Sequence, residues 1–187
     1  MVKINSCVFI SGKGTNLNEL IKNSRNYNFP INIKLIVSNK KNALGLKFAK
    51  KYSIPFKIID ISDSLFETKI LTEINKRKLN LICLAGYMKI LSKNFIKNFN
   101  GKIINIHPSL LPKYKGLNTH QRAIDNREKY CGCTVHYVNS KLDSGKIILQ
   151  DKVKILKTDT NNKLTKRVLK QEHLLYPKAL KKVLTSL

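Results

Sequence analysis

The chain of 187 residues carries 36 Lys and Arg against 11 Asp and Glu, a formal net charge of +25, and has no apolar run near the ~20 residues that a membrane-spanning helix needs. Its length suits one domain with a sizeable core and excludes a second full domain, so we expect a single domain over residues 1–187. Only five of the basic residues are Arg, and the lysines are scattered without the interleaved aromatic residues of base-stacking surfaces, so we expect no nucleic-acid partner.

Apolar strand patterns alternate with amphipathic helical patterns along the chain. In order, the predicted elements are strand 1–10, helix 17–23, strand 31–38, helix 43–52, strand 56–59, helix 64–78, strand 79–85, helix 92–98, strand 102–106, helix 118–125, strand 134–139, strand 147–155 and helix 161–184. This alternation predicts an α/β fold, a doubly wound, mostly parallel twisted sheet flanked by helices in a Rossmann-like arrangement. Pro177 lies inside the last helical segment and should bend or divide it.

The glycine-containing loop of residues 11–16 connects the first strand to the first helix. Its glycines can make a tight turn, or they can let backbone N–H groups approach an anion at a helix N-terminus. The loop lacks the Walker spacing, and Leu17 stands where a dinucleotide fingerprint needs its third glycine, so a single phosphate is favoured over a nucleotide. Thr15 or Asn16 can also cap the helix, and Asn16 with Glu19 resembles a capping box.

Asn105 and His107 lie where the predicted strand 102–106 ends, in a stretch stiffened by Pro108 and Pro112. Side chains two residues apart on extended backbone point to the same side, so an amide and an imidazole would face one pocket. This pair suits acyl transfer, because the amide N–H can bind a developing oxyanion and the imidazole can move a proton near neutral pH. A cap or turn role is the alternative explanation of the same triplet.

The spacing of the cysteines bears on metal binding, and the N-terminal segment bears on the location of the protein in the cell. Cys7 and Cys83 lie in apolar strand patterns, and Cys131 and Cys133 form only a C-x-C, so we expect reduced thiols and no metal. No signal-peptide cleavage motif follows the N-terminal strand pattern, and we expect a cytoplasmic protein without a membrane partner.

Five ordered stretches, residues 11–16, 85–91, 105–116, 142–145 and 171–173, together resemble the folate-dependent phosphoribosylglycinamide formyltransferase family. The resemblance implies an enzyme that transfers the formyl group of 10-formyltetrahydrofolate to the amine of N1-(5-phospho-D-ribosyl)glycinamide. The products would be formylglycinamide ribonucleotide and tetrahydrofolate, in de novo purine (IMP) biosynthesis. We expect small-molecule partners only, no metal, and a monomer or weak homodimer.

The same resemblance implies a role for each of several residues. Asn105, His107 and Asp143 would form the catalytic trio, in which Asn105 and a protonated His107 stabilise the oxyanion and Asp143 favours the charged imidazole. The substrate phosphate would be held by Gly14, Thr15 and Asn16, and the glycinamide end by Glu172. Folate would be contacted by Met88, Lys89, Ile90, Leu91, Asn105, Lys141 and Leu142.

The chain departs from the residues common in this family at Lys13, Lys115 and Asn118, and the region near Asp63 lacks an Arg that many members place against the folate. Within the same fold, the alternatives are a methionyl-tRNA formyltransferase, a formyltetrahydrofolate deformylase and a sugar-nucleotide formyltransferase. The first usually carries an additional C-terminal domain and the second an N-terminal one, and we expect 187 residues to leave room for neither. A basic RNA-binding protein is the alternative from another class.

Overall fold

The computed structural model describes residues 2–60 and 62–184. In chain order the elements are β1 (Ile4–Ile10), α1 (Thr15–Ser24), β2 (Ile31–Ser38), α2 (Leu46–Lys51), β3 (Phe56–Ile58), α3 (Phe66–Lys76), β4 (Leu81–Leu84), α4 (Lys93–Asn98), β5 (Lys102–His107), α5 (Thr119–Asp125), β6 (Tyr130–Tyr137), β7 (Ile147–Lys154) and α6 (Asn161–Leu184). The predicted order of strands and helices is therefore confirmed.

The strands form one seven-stranded sheet in the order β3-β2-β1-β4-β5-β6-β7. β1 pairs in parallel with both β2 and β4, β2 pairs in parallel with β3, and β6 and β7 form an antiparallel pair at one edge. The mostly parallel α/β sheet flanked by helices is confirmed. Its strand order reverses between β1 and β4, and open sheets of this kind bind ligands at the carboxyl ends of such a pair.

The chain divides into two compact units, Met1–Ile104 and Asn105–Leu187. In the first, β4 is a continuous apolar run and all four of its residues are buried, as expected for a parallel strand covered on both faces. On α1, Leu17, Leu20 and Ile21 are fully buried at the spacing of one helix face.

The second unit is built on the β6–β7 pair and the 24-residue helix α6. Pro177 was predicted to bend or divide this helix, and it does not divide it, because Asn161–Leu184 is one α-helix with the proline inside it. A proline in a helix interior costs ~3 kcal/mol. Tyr176, Ala179 and Leu180 beside it are buried, and their packing offsets that cost.

β6 begins at Tyr130, four residues before the predicted start of that strand. The difference arises at Gly132, where a Cβ atom would lie 1.9 Å from the Asp151 carbonyl oxygen of β7. Glycine therefore lets the two backbones approach, although it is a poor strand former by itself. All four cysteines are buried and carry free thiols, and within the described residues no helix has the length and apolar content to cross a membrane.

Candidate active site

Four polar side chains meet where β5 ends, on the second unit. Asn105 Nδ2 donates a hydrogen bond to His136 Nε2 at 3.2 Å. Asp143 lies between two imidazoles, with Oδ2 3.4 Å from His107 Nδ1 and Oδ1 3.7 Å from His136 Nε2. The structure thus brings Asn105, His107 and Asp143 together around a fourth residue, His136, that the sequence analysis did not identify.

His136 is a neutral acceptor in this cluster. Its Nδ1 lies 2.8 Å from the Tyr137 carbonyl oxygen, and because a carbonyl only accepts, Nδ1 carries the hydrogen. Burial, the largest effect, and the nearby His107 lower the pKa of His136, and together they outweigh the Tyr137 hydrogen bond and the Asp143 carboxylate, which raise it. Nε2 therefore keeps its lone pair and holds the amide of Asn105 in one orientation.

His107 has an acceptor at each of its ring nitrogens. Nε2 lies 2.9 Å from the Tyr114 carbonyl oxygen, so Nε2 donates, while Nδ1 faces the Asp143 carboxylate. The Tyr114 carbonyl only accepts, so it fixes Nε2 as the protonated nitrogen and orients the ring, which is 5% exposed, with Nδ1 toward Asp143.

Asp143 is positioned by its backbone and by the loop that precedes α5. It has a left-handed φ of 44°, and its Oδ2 accepts a hydrogen bond from the Gly116 amide at 2.9 Å. The departures found in the sequence lie close by. Lys115 Nζ is 2.5 Å from the Ser144 hydroxyl, and Asn118 is the N-cap of α5 with a φ of 56°.

His120, on α5, is a further buried histidine near this cluster. Burial lowers its pKa, and the nearby His107 lowers it further. Its Nδ1 has no hydrogen-bond partner among the described residues. A neutral ring is the form that suits such a position, because a charged one would carry an unsatisfied N–H.

On the first unit, the loop of residues 11–16 leaves the carboxyl end of β1 and leads into α1. The predicted caps are wrong: α1 begins at Thr15, and Gly14, with a φ of 70°, occupies the N-cap position without a side-chain hydrogen bond. No side-chain oxygen therefore caps the first backbone N–H groups of α1. Uncapped N–H groups at a helix N-terminus are the arrangement that binds anions.

Gly45 supports this loop from the neighbouring connection, and it was not identified from the sequence. Its amide donates to the Gly12 carbonyl at 2.9 Å. A Cβ on Gly14 would lie 2.5 Å from the Gly45 Cα, so the two backbones are in direct contact. A glycine immediately before α2 was the available sequence signal.

The loop of residues 85–91 follows β4 in the same unit and is tied to the start of the 11–16 loop. The Ser11 amide donates to the Gly86 carbonyl at 3.1 Å, and the Ser11 hydroxyl accepts from the Met88 amide at 2.8 Å. Met88 and Ile90 are 65% and 67% exposed, whereas Leu91 is buried. The two loops therefore meet at the switch point between β1 and β4.

The remaining predicted site residues lie on the second unit. Glu172 is buried on α6; burial, and after it the charge of Glu172, raise the pKa of the Cys133 thiol on β6. Lys141 and Leu142 are exposed, and the Lys141 amide donates to Asn139 Oδ1 at 2.9 Å. Among the described residues, no group of three or more His, Cys, Asp or Glu side chains is arranged to hold a metal ion.

Comparison with known proteins decides the family. Residues 4–180 match the model of the family described as formyl transferase. The chain belongs to the formyl transferase family. Within the family, it is 44% identical over 178 residues to the phosphoribosylglycinamide formyltransferase of Haemophilus influenzae, covering 93% of this chain and 84% of that relative.

Two further family members extend the comparison. The crystal structure of phosphoribosylglycinamide formyltransferase from Anaplasma phagocytophilum superposes with a TM-score of 0.93 at 40% identity, covering 98% of this chain and 88% of that one. The trifunctional purine biosynthetic protein adenosine-3 of Chironomus tentans is 41% identical over 94% of this chain. The chain spans only 13% of the length of that trifunctional relative.

Proposed function

We propose that this protein transfers the formyl group of 10-formyltetrahydrofolate to the amine of N1-(5-phospho-D-ribosyl)glycinamide, a step of purine biosynthesis. The products are formylglycinamide ribonucleotide and tetrahydrofolate. The observation that carries the proposal is the cluster of Asn105, His107, His136 and Asp143, which provides oxyanion donors beside a carboxylate. Membership of the formyl transferase family and relatives named phosphoribosylglycinamide formyltransferase support it.

Stabilisation of the formyl oxygen is the main task of the cluster. The substrate amine attacks the formyl carbon, a C–N bond forms, and negative charge develops on the formyl oxygen. Asn105 has two amide N–H groups, of which one is used by His136 and the other is available to that oxygen. His107 supplies the second donor from Nδ1, whose 3.4 Å distance from Asp143 is longer than an ordinary hydrogen bond, while Nε2 stays bound to the Tyr114 carbonyl. Loss of one such donor typically lowers the rate ~10²-fold to 10³-fold.

Proton movement is the second task. An α-amino group titrates near ~8, so a useful neutral fraction attacks at pH 7 without a strong base. When the bond between the formyl carbon and the folate nitrogen breaks, that nitrogen must gain a proton and the new amide must lose one. Asp143, in contact with His107, carries this proton from the amine toward the leaving nitrogen.

We assign the binding roles to the loops on each unit. The backbone N–H groups of Gly14, Thr15 and Asn16 bind the substrate phosphate, supported by the uncapped start of α1. Glu172 binds the glycinamide end. Folate is contacted by the backbone of residues 88–91 and by Asn105, Lys141 and Leu142.

We further propose that residues 1–187 act as one formyltransferase domain, as a monomer or weak homodimer in the cytoplasm. The net charge of +25 opposes a tight homodimer, because like-charged chains repel one another at low salt. Four buried free thiols suit a reducing compartment.

The test is formyl transfer from 10-formyl-5,8-dideazafolate to synthetic glycinamide ribonucleotide, followed by folate absorbance. We expect turnover that requires the ribonucleotide and falls by about 10²-fold or more in Asn105→Ala. The matched control is Asn162→Ala, an exposed asparagine in the first turn of α6, which should keep wild-type turnover.

Two outcomes would contradict the proposal. Folate consumed at the same rate without the ribonucleotide would indicate a deformylase. Salt-dependent retention of RNA with no formyl transfer to any acceptor would indicate that the positive charge serves a nucleic acid.

A further inference from the structure

A cavity of about 570 Å³ lies on the second unit, apart from the four clustered side chains of the candidate active site. It is lined by residues 108–110 and 112–114, which follow β5, by α5 and its C-terminal turn, by the start of β6 and by Lys152 of β7. Neither imidazole of the cluster, nor Asn105 or Asp143, is among the described residues that line it. Its volume falls in the range of small-molecule sites in proteins, ~300–1,000 Å³.

The cavity carries an excess of positive charge. Lys113, Arg127, Lys129 and Lys152 line it, and Glu128 is its one carboxylate among the described residues. Glu128 is already engaged, because its Oε1 accepts from Lys113 Nζ at 2.7 Å and from the Tyr114 hydroxyl at 2.9 Å. Arg127, Lys129 and Lys152 make no salt bridge with any carboxylate in residues 2–60 and 62–184, which leaves three cations free to bind an anion.

Arg127 lines the cavity with a backbone conformation that is unfavourable for arginine. It lies in the turn that ends α5, with a φ of 51°, and its amide donates to the Ile124 carbonyl at 2.8 Å. Glycine is the residue that this left-handed position favours, because a Cβ atom there crowds the following carbonyl. An arginine at such a position places a guanidinium, which binds phosphate through two parallel hydrogen bonds, at the cavity wall.

Another part of the wall is apolar. Pro108, Leu110, Pro112 and Ala123 line it, together with two tyrosines, Tyr114 and Tyr130. Cys131 also lines the cavity, but burial raises the pKa of its thiol to about 11, so a covalent reaction at neutral pH is disfavoured.

We propose that this cavity binds a small organic phosphate, with the phosphate held by Arg127, Lys129 and Lys152 and a planar or aliphatic body packed on the proline and tyrosine wall. The site is independent of the proposed formyl transfer. It adjoins the catalytic cluster through Tyr114, whose carbonyl accepts the hydrogen bond from His107.

The test is a titration of the ¹⁵N-labelled protein with phenyl phosphate, followed by amide chemical shifts. We expect saturable shifts at Tyr114, Lys129 and Cys131, with weaker binding of inorganic phosphate and none of benzyl alcohol. Lys129→Ala should raise the dissociation constant about tenfold or more, because a charge-assisted hydrogen bond is lost. Lys34→Ala, which removes the same charge from an exposed position on β2, is the matched control and should leave it unchanged.

Arg127→Gly separates binding from stability. Glycine relieves the left-handed backbone, so we expect the Tm to rise by about 2–4 °C while phenyl phosphate binding weakens about tenfold or more. A variant that merely disturbed the fold would lower both.

Three results would overturn the proposal. Shifts confined to residues 14–16 would mean that only the loop before α1 binds phosphate. Unchanged affinity in both Arg127→Gly and Lys129→Ala would remove the assigned cations. Equal affinity for inorganic phosphate and phenyl phosphate would remove the apolar part of the site.

Discussion

The two oxygens of Asp143 have different neighbours, and this difference defines what the side chain does. Oδ2 accepts from the Gly116 amide and faces His107, whereas Oδ1 faces the neutral His136. A carboxylate can satisfy two donors at one oxygen and still keep the other free. The residue therefore holds the His107 ring in place and retains an acceptor for a substrate proton.

Asp143→Asn should lower kcat by about 10²-fold with little change in either KM. The amide has the same shape but no charge, so it cannot take a proton from the substrate amine. Steady-state formyl transfer measures this directly. Asp125→Asn, at an exposed carboxylate on α5 that accepts a hydrogen bond from Gln121, is the control and should have no effect on kcat. Unchanged kcat in Asp143→Asn would remove this residue from the mechanism.

The buried histidines predict a loss of stability on mild acidification. The folded-state pKa of both His120 and His136 is lowered from 6.5, mainly by burial. Above pH 6.5 both are neutral folded and unfolded, so no stability is lost there. As the pH falls from 6.5 toward the lowered values, the unfolded chain binds protons that the folded chain does not, and each group costs up to ~1.4 kcal/mol per pH unit.

Differential scanning fluorimetry at pH 8 and pH 5.5 tests this. His120→Leu, which also removes the unpartnered Nδ1, should show a smaller drop in Tm between the two pH values than the wild type. His120→Gln serves as a second uncharged variant. An equal drop in all three proteins would show that His120 does not contribute.

Residue types and spacing were enough to predict that Asn105 and His107 face one side, because side chains alternate along any strand. They were not enough for His136, which reaches Asn105 only because β6 lies beside β5 in the sheet. The order of the strands along the sequence does not show which strands lie next to each other in the sheet. Gly45 was missed for the same reason, since its contact with Gly14 joins two connections that are 31 positions apart in the numbering.

At the scale of elements, one serine joins the loops that leave β1 and β4. The Ser11 hydroxyl donates to Asn39 Oδ1 at 2.6 Å and accepts from the Met88 amide at 2.8 Å. The side chain is buried, so water cannot readily replace these partners. Two loops to which we assign different ligands, a phosphate and a folate, therefore share one positioning residue.

Ser11→Ala should raise the KM for both substrates, and the folate KM should rise most because the Met88 amide loses its acceptor. We expect about a tenfold rise for folate and a smaller effect on kcat, since the catalytic cluster lies on other elements. Ser11→Thr keeps the hydroxyl and should recover much of the affinity. A fall in kcat alone, with both KM values unchanged, would contradict this role.

Element boundaries differed from prediction where tertiary contacts outweigh local preference. The polar residues Thr15 and Asn16 predict a capping motif, yet α1 starts at Thr15, because Gly14 takes the N-cap position with a left-handed φ and packs against Gly45. Pro177 predicts an interruption, yet buried neighbours keep α6 continuous. In both cases the deciding interaction lies outside the local sequence window.

At the scale of the whole molecule, alternating strand and helix patterns were sufficient to predict the architecture. Each connection between parallel strands needs a helix, so the pattern itself restricts the topology. The position of each strand in the sheet was not predictable in this way, because order depends on which faces pack together.

The net charge of +25 predicts a salt dependence for substrate capture. An anionic ribonucleotide is attracted over a Debye length of about 10 Å at 0.1 M salt and only about 3 Å at 1 M. We therefore expect the KM for the ribonucleotide to rise severalfold between low salt and 0.5 M NaCl, with kcat nearly constant. Lys13→Ala, which removes an exposed cation from the loop before α1, should flatten this dependence. A KM independent of salt would mean that the charge plays no part in binding.

The burial of the cysteines has a practical consequence for spectroscopy. Burial raises the pKa of Cys7, Cys131 and Cys133, and the Cys83 side chain is fully enclosed, so the native thiols should react slowly with maleimide dyes at neutral pH. A cysteine introduced at an exposed position such as Lys34 can then be labelled selectively on the unmodified background. Pairs of such labels would allow single-molecule energy-transfer measurements without first replacing the native cysteines.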